Sequence, residues 1–215
     1  MLITGTSRGI GLACAKHFND SYTIVGVART YGEFVTEVGD ITDIDFRNML
    51  IEKYTPTVFI NNAGVGGARK FDDLCKINIE AAGALLLGFY KKMSKGNIIN
   101  LSSWNANVSG SIDTTLGELS YKASKVFLKN LSNNLTNKRS NEVLITSLEP
   151  QNVFTGLISA VTSRRPAEDT YTDYKFNSFA PMSVEYIAET IEWILKQPPW
   201  VCIKSLEISN SHAAR

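Results

Sequence analysis

The sequence is poor in the residues that build metal sites and disulfide frameworks. Its 215 residues include three cysteines and two histidines. The cysteines, at positions 14, 75 and 202, are odd in number and lack CxxC spacing, which argues against a disulfide framework or a zinc site. Two histidines leave no HExxH pair and little room for a Ser-His-Asp triad. We therefore expect no metal, acid–base chemistry from other side chains, and free thiols in a reducing cytoplasm.

The chain also lacks an excess of charge and long apolar runs. Lys and Arg total 22 against 21 Asp and Glu, so the net charge would attract neither nucleic acid nor an anionic membrane. The apolar runs are of strand length or carry polar residues, and the opening MLIT lacks the features of a signal peptide. We expect one cytoplasmic domain over residues 1–215, with no nucleic-acid or membrane partner.

What the sequence does contain is an alternation of short apolar runs with longer amphipathic stretches. This pattern predicts repeated βα units and a three-layer, doubly wound α/β fold around a parallel sheet of about seven strands. A ligand would bind beyond the carboxyl ends of the strands. The predicted strands are 1–4, 22–28, 57–61, 97–101, 143–148 and 201–208, with a weaker one at 34–38. The predicted helices are 10–19, 43–54, 71–93, 120–138 and 184–196.

A glycine-rich turn, GTSRGIG at residues 5–11, follows the first predicted strand. Gly5 would permit a sharp turn, and Gly9 would let backbone amides approach a pyrophosphate. Gly11 would allow close packing of helix against strand. A glycine-rich turn alone is often only a loop. Its position between the first strand and a helix, whose amino terminus carries partial positive charge, favours phosphate binding.

The end of the second predicted strand indicates which dinucleotide is bound. An NAD site usually carries an acidic residue there, whereas an NADP site offers arginine to the extra phosphate. Here Ala28 ends the strand and Arg29 and Thr30 follow it. Arg8 could reach the same phosphate from the glycine turn. The pattern favours NADP(H) over NAD(H); the alternative is that both arginines are simply solvated.

Tyr121 and Lys125 form a candidate proton-transfer pair. They lie four residues apart at the opening of a predicted helix, on the same face. An unperturbed phenol has a pKa of about 10, and a nearby ammonium lowers it. Ser102 and Ser103 end an upstream strand, where a hydroxyl could bond a substrate oxygen or merely form a turn. Asn78 lies in an apolar helical stretch, where its amide needs a partner, functional or from the backbone.

Together, the ordered motifs resemble those of the short-chain dehydrogenase/reductase family. TGxxxGxG matches residues 4–11, NNAG matches 61–64 and YxxxK matches 121–125, and the resemblance covers nearly the whole chain. It implies a Rossmann-like fold and NADP(H)-dependent hydride transfer between the nicotinamide and a small-molecule carbonyl or alcohol. It also implies a catalytic tetrad, formed by Asn78, Ser103, Tyr121 and Lys125.

The resemblance further implies a role for each residue. Tyr121 would exchange a proton with the substrate oxygen, and Ser103, the second of its pair as in the family, would orient that oxygen. Lys125 would bond the nicotinamide ribose and tune Tyr121, while Asn78 would hold a water linking Lys125 to solvent. An acidic turn that contacts adenine and a PGxxxT segment at the nicotinamide complete the cofactor site. The implied cofactor residues are Gly5, Ser7, Arg8, Gly9, Ile10, Gly11, Arg29, Thr30, Asp40, Ile41, Asn62, Ala63, Gly64, Tyr121, Lys125, Pro150, Val153 and Thr155.

The chain departs from the family pattern in several places. The interval from Arg29 to Asp40 is short, so the helix that usually lies there would be reduced or absent. Gln151 stands where the family usually has glycine, and the segment between Ser103 and Tyr121 is longer than in many members. Residues 155–181 lack periodicity, and the resemblance makes them the loop that closes over the substrate. The substrate itself cannot be read from these residues.

The stretch 79–90 is apolar around most of its circumference, more than the covering of one sheet face requires. Because the family commonly pairs through this helix and the one that carries Tyr121, the resemblance implies a homodimer or homotetramer. A catalytically inactive dinucleotide-binding sensor or scaffold of the same fold is the alternative function, and the apparently complete tetrad argues against it. A sugar-nucleotide epimerase or dehydratase would typically carry TGxxGxxG and a larger substrate domain.

Overall fold

A seven-stranded parallel sheet forms the centre of the molecule. A computed structural model describes residues 1–66, 70–107, 115–138, 142–155 and 181–210. The strands are β1 (Leu2–Thr4), β2 (Val25–Ala28), β3 (Glu37–Val38), β4 (Val58–Asn61), β5 (Lys95–Leu101), β6 (Glu142–Pro150) and β7 (Ser205–Ile208). Their order is β3-β2-β1-β4-β5-β6-β7, which reverses between β1 and β4 and opens a crevice at the carboxyl ends of these strands.

Helices cover both faces of the sheet. They are α1 (Gly9–Phe18), α2 (Ile44–Lys53), α3 (Phe71–Leu74), α4 (Ala82–Lys92), α5 (Leu116–Lys138) and α6 (Val184–Leu195), with a π-helix at Cys75–Ala81 and a 3₁₀ turn at Trp104–Ala106. Leu2 packs with α2, α4 and α5, whereas the next residue, Ile3, packs with α1 and α6. This alternation gives two cores, one on each face. The predicted three-layer, doubly wound single domain is confirmed.

The strand boundaries differ from the predicted ones because backbone pairing, not composition, sets them. β2 begins at Val25 instead of residue 22, and β7 begins at Ser205 instead of residue 201. The weak strand predicted at 34–38 is reduced to two residues, Glu37 and Val38, and no helix forms between Arg29 and Asp40. β6 runs two residues further than predicted, to Pro150, because Glu149 and Pro150 pair with β7 beyond the point where pairing with β5 ends at Leu148.

The prediction that Tyr121 opens its helix was wrong. α5 begins at Leu116, so Tyr121 lies in its second turn. Thr115 and Glu118 form a reciprocal capping box: the Thr115 amide donates to the Glu118 carboxylate at 3.0 Å, and the Glu118 amide donates to the Thr115 hydroxyl at 3.3 Å. The single helix predicted at 71–93 is in fact α3, the π-helix and α4 in succession. Within the described residues, no helix is long and apolar enough to cross a membrane.

Candidate active site

The glycine turn lies at the carboxyl end of β1 and has the geometry expected of a phosphate cradle. Gly5 and Gly9 have φ of 79° and 58°, which favours glycine. A Cβ on Gly11 would lie 2.2 Å from the Gly5 carbonyl oxygen, so a side chain there would collide with backbone. Above Gly9, in contrast, the nearest group is the side chain of Thr155, 3.7 Å from a built Cβ. Space therefore remains at the amino terminus of α1, where an anion would bind.

Thr4 locks the glycine turn to the NNAG segment, a role that the sequence reasoning missed. Its buried hydroxyl accepts the backbone amides of Asn62 and Ala63, each at 3.0 Å, and the Asn62 side chain donates to the Thr4 carbonyl at 2.8 Å. The Asn62 amide is therefore used to join β1 to the end of β4. The sequence feature that could have indicated this role is the threonine immediately before Gly5, the first glycine of the motif. Together these bonds fix both walls of the crevice at the switch point.

The residues expected at the cofactor's extra phosphate lie at the ends of β1 and β2. Arg8 is the N-cap of α1 and makes no side-chain capping bond. The side chains of Ser7, Arg8, Arg29 and Thr30 are exposed, and Ile10 is half-buried. Within the described part of the chain, neither Arg8 nor Arg29 forms an ion pair. Two unneutralised guanidinium groups therefore flank the glycine turn.

The acidic turn after β3 is rigid. One carboxylate oxygen of Asp40 accepts the Thr42 amide and the Thr42 hydroxyl, each at 2.9 Å. Ile41 is buried, and its carbonyl accepts a 2.8 Å bond from the buried guanidinium of Arg47. Arg47 also donates to Glu80 at 2.9 Å, which ties this turn to the π-helix. The turn is thus held at the edge where an adenine would lie.

Ser103, Tyr121 and Lys125 meet at the carboxyl end of β5. Burial raises the pKa of Tyr121, and a hydrogen bond with the Ser103 hydroxyl opposes that rise. The Lys125 ammonium lies 5.6 Å from the centre of the Tyr121 ring and donates to the Leu101 carbonyl at 2.7 Å. Burial lowers the pKa of Lys125 to about 8. A phenol, a hydroxyl and an ammonium are thus brought together at the carboxyl edge of the sheet.

The two serines of the pair differ in their partners. The Ser102 hydroxyl donates to the Lys125 carbonyl at 2.9 Å, so it anchors β5 to α5. The Ser103 hydroxyl bonds Tyr121 and also accepts the Asn105 amide at 3.3 Å, which caps the 3₁₀ turn. Only the second serine therefore meets Tyr121.

Asn78 lies in the π-helix and its side chain is already engaged by protein. It donates to the Val65 carbonyl at 2.9 Å and the Ser124 hydroxyl at 3.2 Å, and it accepts the Val65 amide at 2.9 Å. One lone pair of its oxygen is left for the water expected there. A Cβ on Gly64 would lie 3.3 Å from that oxygen and 3.7 Å from the Lys125 ammonium, so Asn78 and Lys125 converge beside Gly64.

The segment expected at the nicotinamide continues from β6. Pro150 is buried at the end of that strand, and Val153 pairs with Met182 in an isolated bridge. Gln151, at the family's glycine position, is held at both ends: its amide donates to the Ile208 carbonyl at 2.8 Å, and its side chain accepts the Asn210 amide at 3.1 Å. Of the expected substrate loop at 155–181, residues 156–180 lie outside the described residues.

A solvent-open cavity of about 620 Å³ lies elsewhere on the molecule. Residues 19–24 and 33–36 line it, at the amino end of β2 and on the opposite edge of the sheet from Tyr121. None of the predicted site residues lines it, so it is not the candidate cofactor site. The crevice at the carboxyl edge holds the glycine turn, the acidic turn and Tyr121 instead.

The doubly wound sheet, the glycine cradle at its switch point and the Ser103–Tyr121–Lys125 cluster define a class of protein, the dinucleotide-binding oxidoreductases. The sequence model of one family, described as short chain dehydrogenase, matches residues 1–166. The chain therefore belongs to the short-chain dehydrogenase/reductase family, as the motifs predicted. A nicotinamide dinucleotide is the cofactor that this membership supports.

Several proteins resemble this chain along nearly its whole length. A serine 3-dehydrogenase of Agrobacterium fabrum is 26% identical over 239 aligned positions, covering 97% of this chain and 92% of the relative. The closed form of a serine dehydrogenase complexed with NADP+ has a TM-score of 0.76 at 18% identity, covering 97% and 94% of the two chains. The 3-alpha-hydroxysteroid dehydrogenase of Pseudomonas sp. B-0831, complexed with NADH, has a TM-score of 0.77 at 18% identity, covering 96% and 94%. Both structural likenesses support the fold.

Proposed function

We propose that this chain is an NADP(H)-dependent oxidoreductase that transfers a hydride between the nicotinamide and a carbonyl or alcohol, with Tyr121 as the acid and base. The observation that carries the proposal is the contact of half-buried Tyr121 with buried Ser103 and Lys125 at the carboxyl edge of the sheet. Bound NADP(H) would supply or accept the hydride. The residues of the chain would bind the dinucleotide, orient the substrate oxygen and move its proton.

Tyr121 would give its phenolic proton to the carbonyl oxygen during reduction. Because burial raises its pKa, the phenol is protonated at neutral pH, which is the form that a general acid needs. Ser103, already bonded to Tyr121, would donate to or accept from the same substrate oxygen and hold it in line. In the reverse direction the ammonium of Lys125 would favour the phenolate that accepts the alcohol proton.

The preference for NADP(H) rests on Arg8 and Arg29. Both side chains are exposed beside the glycine turn, and the strand end between them carries Ala28 where an NAD site would carry a carboxylate. A 2′-phosphate there would accept charge-assisted hydrogen bonds from one or both guanidinium groups. The expected effect is a lower dissociation constant for NADPH than for NADH.

The cofactor proposal is tested by Arg29→Asp, with dissociation constants measured for both cofactors. We expect NADPH binding to weaken by about tenfold or more while NADH binding changes little, because a carboxylate repels the 2′-phosphate and can bond the ribose hydroxyls. Lys95→Asp makes the same change in charge at the opposite edge of the sheet, and it should leave both constants unchanged. Equal effects of Arg29→Asp on the two cofactors would contradict the assignment.

The substrate class is tested by turnover of NADPH and NADH against aldehydes, ketones, keto acids and 3-oxoacyl thioesters. In the reverse direction, serine and other 3-hydroxy acids belong in the panel, since a 26% identical relative is a serine 3-dehydrogenase. Reduction of any carbonyl compound with NADPH, or oxidation of any alcohol with NADP+, supports the proposal. Tight NADPH binding with no turnover of any compound would favour the inactive sensor.

We also propose that the chain works as a homodimer or homotetramer in the cytoplasm. The outward face of α5, with one neighbour from α4, carries apolar side chains at successive intervals of three, seven and one residues, which share one side of the helix as a helix-pairing surface would. At least 36% of each of these side chains is exposed: Leu87, Leu116, Leu119, Val126 and Phe127. A cytoplasmic location fits the three free thiols, Cys14, Cys75 and Cys202.

A further inference from the structure

Glu149 places a carboxylate in the interior at the carboxyl end of β6, where its side chain is fully buried. Each of its oxygens accepts two hydrogen bonds. One accepts the Lys129 ammonium at 2.9 Å and the Asn107 side-chain amide at 2.7 Å. The other accepts the hydroxyls of Ser147 at 2.9 Å and Ser205 at 2.6 Å. Donors from α5, β6, β7 and the segment after β5 therefore converge on one carboxylate.

The carboxylate of Glu149 is held in its charged form. Burial alone would raise its pKa, but the hydrogen bonds from Ser205, Asn107, Lys129 and Ser147 outweigh that effect and leave the pKa below its ordinary value. If the carboxylate moved away from one of its donors, a buried charged group would lose a hydrogen bond without gaining water, which costs free energy. The four donors therefore fix its position. The nearby charged groups are the Lys129 ammonium and the Glu207 carboxylate, which also accepts from Asn107.

The segments that Glu149 joins are the ones that carry the candidate active site. Asn107 follows the 3₁₀ turn that Ser103 caps. Lys129 lies one helical turn beyond Lys125 on the same face of α5, and it also bonds the side-chain oxygen of Asn107. Glu149 itself immediately precedes Pro150, the first residue of the segment expected at the nicotinamide. A single carboxylate thus links the turn that follows Ser103, the helix of Lys125 and the nicotinamide segment.

We propose that Glu149 is a positioning residue that holds the nicotinamide segment in register with Ser103 and Lys125. This inference rests on the proposed function, since it assigns the reacting end of the dinucleotide to that segment. Glu149 touches neither substrate nor cofactor in this role. It acts through Asn107, Lys129 and the backbone of Pro150. The glycine turn and the arginines at the other end of the cofactor site are independent of it.

The test is Glu149→Gln, measured against two ligands: intact NADP+ and adenosine 2′,5′-bisphosphate, which carries only the adenine half. Glutamine keeps the size of the side chain but removes the negative charge that the Lys129 ammonium faces. Its NH2 group can only donate, so the hydroxyls of Ser147 and Ser205 would have to turn from donors into acceptors. We expect NADP+ to bind about fivefold more weakly and kcat to fall about tenfold or more, with the binding of the bisphosphate changed by less than about twofold. A general destabilisation of the fold would weaken the binding of both ligands, so weaker binding of NADP+ alone distinguishes a positioning role from a structural one.

A second test variant and a matched control keep the inference testable if Glu149→Gln folds poorly. Asn107→Ala changes an exposed residue and removes the side-chain bonds by which the Ser103 segment is joined to Glu149, Glu207 and Lys129. It should lower kcat about threefold or more with cofactor binding nearly unchanged. Glu142→Gln makes the matched substitution at the exposed first residue of β6 and should change neither value.

Equal weakening of both ligands in Glu149→Gln, together with a lower melting temperature, would overturn the inference and leave a purely structural role. Wild-type kcat and binding in both Glu149→Gln and Asn107→Ala would overturn it as well. A wild-type chain that neither binds NADP+ nor turns over any substrate would instead overturn the proposed function, and the inference with it. These failures are distinguishable, because the last is seen before any variant is made.

Discussion

Lys125 is the residue at which burial and chemistry oppose each other most directly. Only 8% of it is exposed, and within the described residues its ammonium has no carboxylate partner. Burial lowers its pKa to about 8, against 10.5 in an exposed lysine. At neutral pH the group still carries its charge, so the fold bears the cost of a buried ammonium beside Tyr121. The proposed catalytic role would account for a buried ammonium at this position.

This cost gives a prediction for stability against pH. Because the folded-state pKa lies below the unfolded one, the unfolded chain binds more protons between about pH 8 and 10.5, and the wild type gains stability as pH rises through that window. Lys125→Met removes the group. We expect the free energy of unfolding of the wild type, relative to this variant, to increase by on the order of 2–3 kcal/mol from pH 7 to pH 10.

Urea denaturation at a series of pH values measures this difference. Lys95→Met, at an exposed position, serves as the control and should track the wild type. A difference between the wild type and Lys125→Met that stays flat with pH would show that burial does not lower the pKa of Lys125.

The sequence pattern identified these residues but not all of their contacts. Of the two serines, Ser103 is the one that bonds Tyr121, while Ser102 bonds the Lys125 carbonyl, and the catalytic role of Ser103 stays a prediction. The engagement of Asn78 by Val65 could not be read, because a contact across 13 positions depends on how the NNAG segment folds back over the π-helix.

At the scale of elements, apolar runs predicted where strands and helices lie but not where they end. A strand ends where its neighbour stops pairing, which no single run of residues encodes. The early start of α5 was readable in principle, since a threonine followed three residues later by glutamate is a capping signature. The π-helix that holds Asn78 has no such signature, because its apolar spacing is also compatible with an ordinary α-helix.

Two helical glycines, Gly11 in α1 and Gly88 in α4, should respond differently to replacement by alanine, because one faces backbone and the other faces a side chain. In Gly11→Ala the new methyl would lie 2.2 Å from a backbone oxygen, that of Gly5, which cannot move without reshaping the phosphate turn. In Gly88→Ala it would meet the flexible end of Ile51 at 2.4 Å. We expect Gly11→Ala to lose about 2 kcal/mol or more, and Gly88→Ala to change by less than about 1 kcal/mol, since alanine favours the helix.

Denaturant unfolding followed by circular dichroism measures both glycine variants. Dinucleotide binding by any folded Gly11→Ala protein should also be weakened, because the cradle shifts. Equal stability of the two variants would mean that the packing of α1 on the glycine turn is looser than the geometry indicates.

At the scale of the whole molecule, the fold follows from the βα alternation and the handedness of crossovers, which leave few topologies for such a chain. The assembly of copies is a prediction that depends on the outward apolar face of α4 and α5. We expect light scattering to give the mass of a dimer or tetramer. Val126→Glu, which places a charge in that face, should halve this mass because it removes one pairing surface.

Trp200→Glu is the control for this assembly test. Trp200 is 80% exposed but lies after α6, away from the proposed pairing face, so its replacement should leave the mass unchanged. A wild-type chain that is monomeric at micromolar concentration would contradict the predicted pairing.

The central claim is that a hydride passes between NADP(H) and a substrate carbon while Tyr121 moves the proton. The reaction is followed by the transfer of deuterium from NADPH that carries deuterium at both hydrogen positions of the nicotinamide C4, with mass spectrometry of the alcohol formed. Wild type should place one deuterium on the reduced carbon. Tyr121→Phe should slow this transfer by about 10²–10⁴-fold with NADPH binding nearly intact, whereas Tyr186→Phe, at an exposed tyrosine of α6, should not slow it. An unlabelled product, or transfer at the wild-type rate by Tyr121→Phe, would contradict the account.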